Sequence, residues 1–261
     1  FNISVAITDE FMAALKDNGY ISLVDHTRKV TSKIMAAELW SELTHSAWKT
    51  GDPGVIFIDR INASRANPVP SLGPIEATNP CGEQPLYPYD QCNLGSINLA
   101  HFVNDYKVDF DRLEGVVETA VRFLDNVITT NFYLLPQLAK VAKNIRRIGL
   151  GVMGWADMLL ILGIPYGSET ALNLAEEIMV FITARARKAS EKLSLEKGQF
   201  PLARDGIYQG TVRNSTCTTI APTGTISLIA GCSSGIEPYF AIQYTHHGLE
   251  GGLEDEKIYA S

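Results

Sequence analysis

The chain has 261 residues and a mass of 28.6 kDa, with 46% hydrophobic and 20% charged residues, which is near the average for soluble globular proteins. That length accommodates one large α/β domain or two of ordinary size. Twenty-two Lys and Arg against 29 Asp and Glu leave a formal charge of −7 with no block of like charge, which excludes a broad nucleic-acid-binding face as the main function and places any nucleotide in a pocket.

In chain order, residues 1–7 read as a buried strand with no charged region before it. This is not a signal peptide but a stretch expected from the interior of a longer protein. Thr8 reads as the N-cap of a helix with Asp9 and Glu10 in its first turn, ended by Gly19. Ile34, Leu39, Leu43 and Trp48 predict a helix over Ser32–Trp48, closed by Gly51-Asp52-Pro53-Gly54 and followed by a short strand at Val55–Ile58. Pro68, Pro70, Pro74, Pro80, Pro85 and Pro88 make residues 67–90 a long ordered loop. A strand at Leu94–Leu99 precedes a helix-rich block from Asp109 to about Lys197, with Leu113, Val117, Val121 and Leu124 as its first apolar stripe. Within it, the apolar stretch Ile148–Pro165 is broken by Asp157 and several glycines, which predicts a buried helix and not a membrane span. Between Arg213 and Glu237 there is no charged residue, which suits a buried strand feeding a tight turn and a helix. With no repeat, low-complexity tract or linker, a single domain over residues 1–261 is expected. Four cysteines without a secretory leader favour reduced thiols in the cytoplasm, or a catalytic use, over a disulfide scaffold.

Three local patterns carry chemistry. Gly149-Leu150-Gly151-Val152-Met153-Gly154 has the G-x-G-x-x-G spacing of a dinucleotide site, but a basic helical segment precedes it where a strand should stand, so the glycines are read as allowing close helix packing. Asn79-Pro80-Cys81-Gly82-Glu83 places a thiol and a carboxylate two residues apart on a stiff loop. If that loop is extended, both face one substrate, with Glu83 as a general base beside Cys81. The competing reading takes Cys81 and Cys92 as small buried hydrophobes and Glu83 as a solvated acid; a zinc pair is disfavoured because neither cysteine has a C-x-x-C partner or a nearby His. Thr218 to Ser227 turns at Pro222 and Gly224, where amides and hydroxyls can cradle a phosphate without the lysine that nucleotide triphosphate hydrolysis would need; an ordinary capped turn is the alternative.

Together, Asn79-Pro80-Cys81-Gly82-Glu83-Gln84-Pro85-Leu86, Cys92 to Leu99, Arg147 to Gly154, Ala221-Pro222-Thr223-Gly224-Thr225 and Gly231 to Pro238 resemble the catalytic subunit of ribonucleotide reductase, closest to its adenosylcobalamin-dependent class II branch. The motifs occur in family order as far as about Tyr244. The tail from Thr245 to Ser261 matches less well, and His246-His247-Gly248 is not the Asp-x-His-x-x-Gly cobalamin motif. The resemblance implies an α/β chain forming part of a ten-stranded barrel, with a central finger loop carrying the radical cysteine. It implies that Cys81 takes hydrogen from C3′ of a ribonucleoside di- or triphosphate, that Glu83 deprotonates the 3′-hydroxyl, and that Asn79 bonds the sugar hydroxyls within a substrate loop of Asn79, Pro80, Cys81, Gly82 and Glu83. Cys92 would supply half of a dithiol, and Pro222, Thr223, Gly224, Thr225 and Ile226 would hold the phosphates. Cys217 and Cys232 match no catalytic role and are expected to be structural.

In the family the partner thiol and the allosteric region lie upstream of Phe1, and the cysteine tail that passes electrons from a thioredoxin- or glutaredoxin-type reductant lies beyond Ser261. The chain alone is therefore expected to be inactive and poorly soluble, and to work with the remaining segments of the same enzyme as a homodimer, without nucleic acid or membrane. Adenosylcobalamin rests on the resemblance alone. Two other readings stand beside it: a class I large subunit using a separate metal radical subunit, and a non-catalytic nucleotide-binding homologue.

Overall fold

A computed structural model describes residues 2–25, 27–241, 243–246 and 256–259; Phe1 and His247-Gly248, which enter the readings above, lie outside them. The chain divides into two compact units, Phe1–Asp90 with Asp205–Ile207, and Gln91–Arg204 with Tyr208–Ser261.

In the first unit, β1 (Ser4–Ile7) leads into α1 (Asp9–Lys16), where the Thr8 hydroxyl accepts the Phe11 N–H at 3.1 Å as the N-cap expected of it. The helix stops before Gly19, whose N–H reaches back to the Ala14 carbonyl at 2.7 Å. The helix expected from Ser32 starts only at Ala36. Ahead of it, β2 (Tyr20–Asp25) and β3 (Val30–Met35) form an antiparallel hairpin that sets Ile34 opposite Ile21, and then α2 (Ala36–Thr50) begins. Cross-strand pairing outweighs a helical spacing that Ile34 meets only loosely. Trp48 is 82% exposed, so the stripe ends at Leu43; Leu39, Trp40 and Leu43 pack on Ile7, Phe11 and Ala36. Gly51, at φ 84°, closes α2. β4 (Gly54–Phe57) then pairs in parallel with β1, and α3 (Ile58–Ala63) takes up Ile58, which the sequence assigns to the strand. The proline-rich stretch is not wholly loop, since β5 (Ala77–Thr78) and β6 (Pro85–Leu86) form a two-rung hairpin within it.

The second unit is built on parallel strands. β7 (Asn93–Asn98) leads through the small hairpin of β8 (Val103–Asn104) and β9 (Lys107–Val108) to α4 (Phe110–Thr130) and α5 (Pro136–Ile145), and the chain returns as β10 (Ile148–Met153), parallel to β7. Residues 216–219 run along the other edge of β10, with the Leu150 N–H on the Cys217 carbonyl at 2.8 Å and the Thr219 N–H on the Leu150 carbonyl at 3.1 Å. After β10 come α6 (Trp155–Leu162), α7 (Glu169–Lys197), α8 (Gly224–Ala230), and β11 (Gln243–His246) paired with β12 (Glu256–Tyr259). Leu113, Val117, Val121 and Leu124 are buried against Ile97, Ile148, Leu150 and Val152, so the stripe read from the sequence is the core of this unit.

The glycine run requires a correction. Residues 148–153 are neither helix nor helix packing but a strand buried at every position, and only Trp155–Leu162 of the predicted buried helix is helical. An apolar run this short has the same pattern in both structures. The glycines let neighbours approach closely: a Cβ on Gly151 would stand 2.6 Å from the Thr219 backbone carbonyl oxygen, and one on Gly154 would stand 2.2 Å from the Asn98 side-chain oxygen. Among the described residues the strands make six two-stranded sheets and no closed barrel, and no helix is long and apolar enough to cross a membrane.

The second unit is tied together at Asp125, a fully buried carboxylate on α4. It accepts Arg146 Nη2 at 2.7 Å, Arg146 Nε at 2.9 Å and Asn214 Nδ2 at 3.0 Å, with Arg213 Nε at 3.3 Å and Lys197 Nζ at 3.6 Å. Asp125→Ala should cost about 3–5 kcal/mol, because it strands the buried Arg146 guanidinium and takes a partner from half-buried Arg213, whereas Arg122→Ala, which breaks an exposed pair with Glu196, should cost far less. Urea unfolding of the two variants checks the contrast. Gly151→Ala should also destabilise, by about 1–3 kcal/mol, by forcing β10 away from Thr219.

Candidate active site

The residues singled out in the sequence fall in both units. In the first, the β5–β6 hairpin carries Asn79, Pro80, Cys81, Gly82 and Glu83 across its tip. The Asn79 N–H donates to the Gln84 carbonyl at 3.0 Å, the Gln84 N–H returns to Asn79 Oδ1 at 2.9 Å, and the Gly82 N–H closes a turn on the Asn79 carbonyl at 3.0 Å. Asn2 Nδ2 donates to the Pro80 carbonyl at 3.4 Å. The loop is therefore a turn over 79–82 and not the extended segment assumed in aligning Cys81 with Glu83, with Gly82 at φ +87°. Cys81 is exposed at the tip and Glu83 is half-buried, so the reading of Cys81 as a buried hydrophobe does not hold. Asn79 is the brace of this turn, bonded through both its backbone and its side-chain oxygen.

In the second unit the carboxyl ends of β7, β10 and residues 216–219 meet a set of turns. In open parallel α/β sheets, ligand sites form at these strand ends. The Gly154 N–H, at the end of β10, donates to the Ser233 carbonyl at 2.8 Å; the Ser233 N–H donates to Asp157 Oδ2 at 2.6 Å, and the Tyr239 hydroxyl to Asp157 Oδ1 at 2.5 Å. Thr223, held at φ 59°, accepts the Gly235 N–H on its hydroxyl at 2.7 Å, so this side chain serves the turn itself. α8 makes its first internal bond from Ser227 N–H to the Thr223 carbonyl, which leaves the amides of Gly224, Thr225 and Ile226 ahead of the helical ladder, on exposed residues beside exposed Pro222. Cys92 is half-buried at the opposite, amino end of β7, where its thiol donates to the Asn93 carbonyl at 3.5 Å.

Asp157, Tyr239 and Tyr166, whose hydroxyl reaches the Ile236 carbonyl at 2.6 Å, were not among the residues read from the sequence as functional. The signal for Asp157 was present: it is the one acid inside the most apolar stretch of the chain. Among the described residues no group of three His, Cys, Asp or Glu could hold a metal ion.

The thiols differ in environment. Burial pushes Cys217 up to about 11, and burial with the Asp157 charge pushes Cys232 up to about 11 as well. Cys217 is 5% exposed, the structural burial expected of it; Cys232 is half-buried, next to Ser233 at the strand ends. At pH 8 a thiol at about 11 is ionised in about one molecule in a thousand. Iodoacetamide should therefore label Cys81 first and Cys217 last, read by peptide mass spectrometry over time.

The family described as ribonucleotide reductase, barrel domain, matches residues 1–205 and 201–258, which extends past Tyr244 into the tail where the motif likeness weakens. A vitamin B12-dependent ribonucleoside-diphosphate reductase of Thermoplasma acidophilum is 53% identical over 96% of the chain, covering 33% of that protein. One from Mycobacterium tuberculosis is 52% identical over 94% of the chain and 36% of its own length. A ribonucleoside-diphosphate reductase subunit alpha of Chlamydia pneumoniae is 31% identical over 87% of the chain and 26% of its own length. The chain thus spans about a third of the length of the curated relatives it matches most strongly.

Proposed function

We propose that this chain, which belongs to the ribonucleotide reductase barrel-domain family, is the thiyl-radical core of an adenosylcobalamin-dependent enzyme that reduces ribonucleoside diphosphates to 2′-deoxyribonucleotides. The observation that carries this reading is the exposed Cys81 thiol at the tip of a hairpin turn braced by Asn79 and followed by Glu83. The diphosphate substrate and the cobalamin follow what the relatives at 53% and 52% identity are named for; the lower 31% identity to a subunit alpha favours the class I reading less. The complete protein would close the ten-stranded barrel, with both units in its single domain and the β5–β6 hairpin as its finger. It would act in the cytoplasm as a homodimer, drawing electrons from a thioredoxin- or glutaredoxin-type protein.

Adenosylcobalamin would need a reachable thiol from this chain, and exposed Cys81 would supply it. When bound, it supplies the one-electron oxidising equivalent that removes the hydrogen atom of that thiol. The rest falls to the side chains. The Cys81 sulfur takes the C3′ hydrogen of the ribose. Glu83 accepts the 3′-hydroxyl proton, which weakens the C3′–H bond and helps the 2′-oxygen leave as water. Asn79, whose Oδ1 is used by the turn, donates to the sugar hydroxyls through Nδ2. Cys92 and a partner thiol outside this chain give up two electrons and close a disulfide, after which the hydrogen returns from Cys81 to C3′. The amides of Gly224, Thr225 and Ile226, with Pro222 and Thr223 shaping the turn, hold the phosphates. Orientation supplies most of the rate.

The test is reconstitution of the chain with the further segments its relatives carry, plus adenosylcobalamin and a dithiol, scored by deoxyribonucleotide formation. Cys81→Ser should abolish the product while leaving nucleotide binding intact, and Glu83→Gln should slow turnover by about 10²–10⁴-fold. Turnover retained in Cys81→Ser would defeat the reading.

A further inference from the structure

Asp157 occupies the third position of α6, where an acid ordinarily accepts the N–H of the residue capping its own helix and steadies the helix dipole. Here the capping residue, Gly154, sends its N–H to the Ser233 carbonyl instead, and the Asp157 carboxylate takes the Ser233 N–H at 2.6 Å and the Tyr239 hydroxyl at 2.5 Å. Ser233 is thereby gripped at both its N–H and its C=O from the first turn of α6. The two donors come from 76 and 82 positions along the chain, and both bonds are short and charge-assisted.

The grip is relayed. Next to Ser233, the Ser234 hydroxyl lies 2.8 Å from that of Ser227, and the Gly235 N–H reaches the Thr223 hydroxyl at 2.7 Å. Thr223 and Ser227 are the residues whose backbone bond starts α8, so the segment on which Asp157 acts determines how the Gly224–Ile226 amides are presented. Thr223 needs that support, because a left-handed conformation is unfavourable for a threonine. Ser233 itself is 6% exposed, and its hydroxyl has no hydrogen-bond partner among the described residues, as expected of a buried group that completes its bonding with a ligand.

We propose that Asp157 is a positioning residue of the reductase: by holding Ser233 and Tyr239 it locks the Ser233–Gly235 segment against Thr223 and Ser227, and so sets the affinity of the turn for the substrate's phosphates without touching the radical chemistry. The inference rests on the reading of Pro222–Ile226 as the phosphate turn.

The reconstituted reductase provides the test. Asp157→Ala should raise KM for a ribonucleoside diphosphate about tenfold or more with kcat within twofold, raise the inhibition constant of inorganic pyrophosphate in parallel, and leave the affinity for the unphosphorylated ribonucleoside unchanged. Asp157→Asn, which keeps an oxygen for the Ser233 N–H, should recover most of the loss. Tyr239→Phe removes a single hydroxyl from a ring that keeps its packing, and it should show the same KM-selective defect several-fold; this holds the question open to refutation even if Asp157→Ala fails to fold. A fall in kcat at unchanged KM, or equal weakening of diphosphate and bare nucleoside, overturns the inference alone. Failure of pyrophosphate to compete with substrate in the wild-type enzyme would instead sink the phosphate reading of the turn, and this inference with it.

Discussion

A single buried carboxylate holds the second unit in register. Asp125 is on α4, yet its ligands come from the end of α5, from the end of α7 and from residues 213–214 just before the third strand. Arg146, itself in the left-handed conformation, stands two residues before β10, and Asn214 two before the strand-like run at 216–219. One charge centre therefore fixes where both strands begin. Strand starts displaced by a residue would turn inward-facing side chains outward, so this polar centre specifies what the apolar core cannot. Its value lies in arrangement more than in net stability, since the desolvation of buried ions offsets much of their attraction.

From that origin the turns around Thr223 and Ser233 lie at the far end of the strands. Six residues of β10 carry the chain from the charge centre to Gly154, and the Asn98 side chain, the Ser233 carbonyl and the Thr223 turn meet there. Gly151 is needed in β10 because the Thr219 carbonyl crowds it on one edge, and Gly154, just past the strand, because the Asn98 side chain lies against it. A sequence of this kind resembles a dinucleotide fingerprint only in its spacing. In the fingerprint, glycines follow a strand to admit a pyrophosphate, whereas Gly149 and Gly151 lie inside the strand.

Local order is distributed to match the proposed division of labour. Cys81 is on a two-rung hairpin whose tip is shaped by its own residues, Asn79 and Gly82, and exposes the thiol. The turn at Pro222–Ile226 is instead bonded from outside, with the Thr223 hydroxyl accepting the Gly235 N–H and Asp157 holding Ser233 of the same segment. Of the other three thiols, two have their ionisation suppressed, Cys217 by burial and Cys232 by burial together with the nearby Asp157 charge.

Much of this was legible in the residues themselves. The Thr8 cap, the Leu113–Leu124 stripe and the strand after Cys92 depend on chemistry within a few positions, which amino-acid type dictates directly. What failed were assignments that turn on a partner far along the chain. Ile34 fits a helix until Ile21 pairs with it, and the run 148–153 reads as helix until β7 and residues 216–219 flank it. Asp157 stands out in sequence only as an interruption, because its meaning lies in a serine and a tyrosine 76 and 82 residues away. Periodicity and capping are properties of a segment and survive in isolation; strand identity and the role of a buried charge are properties of neighbours, and only the folded chain supplies those.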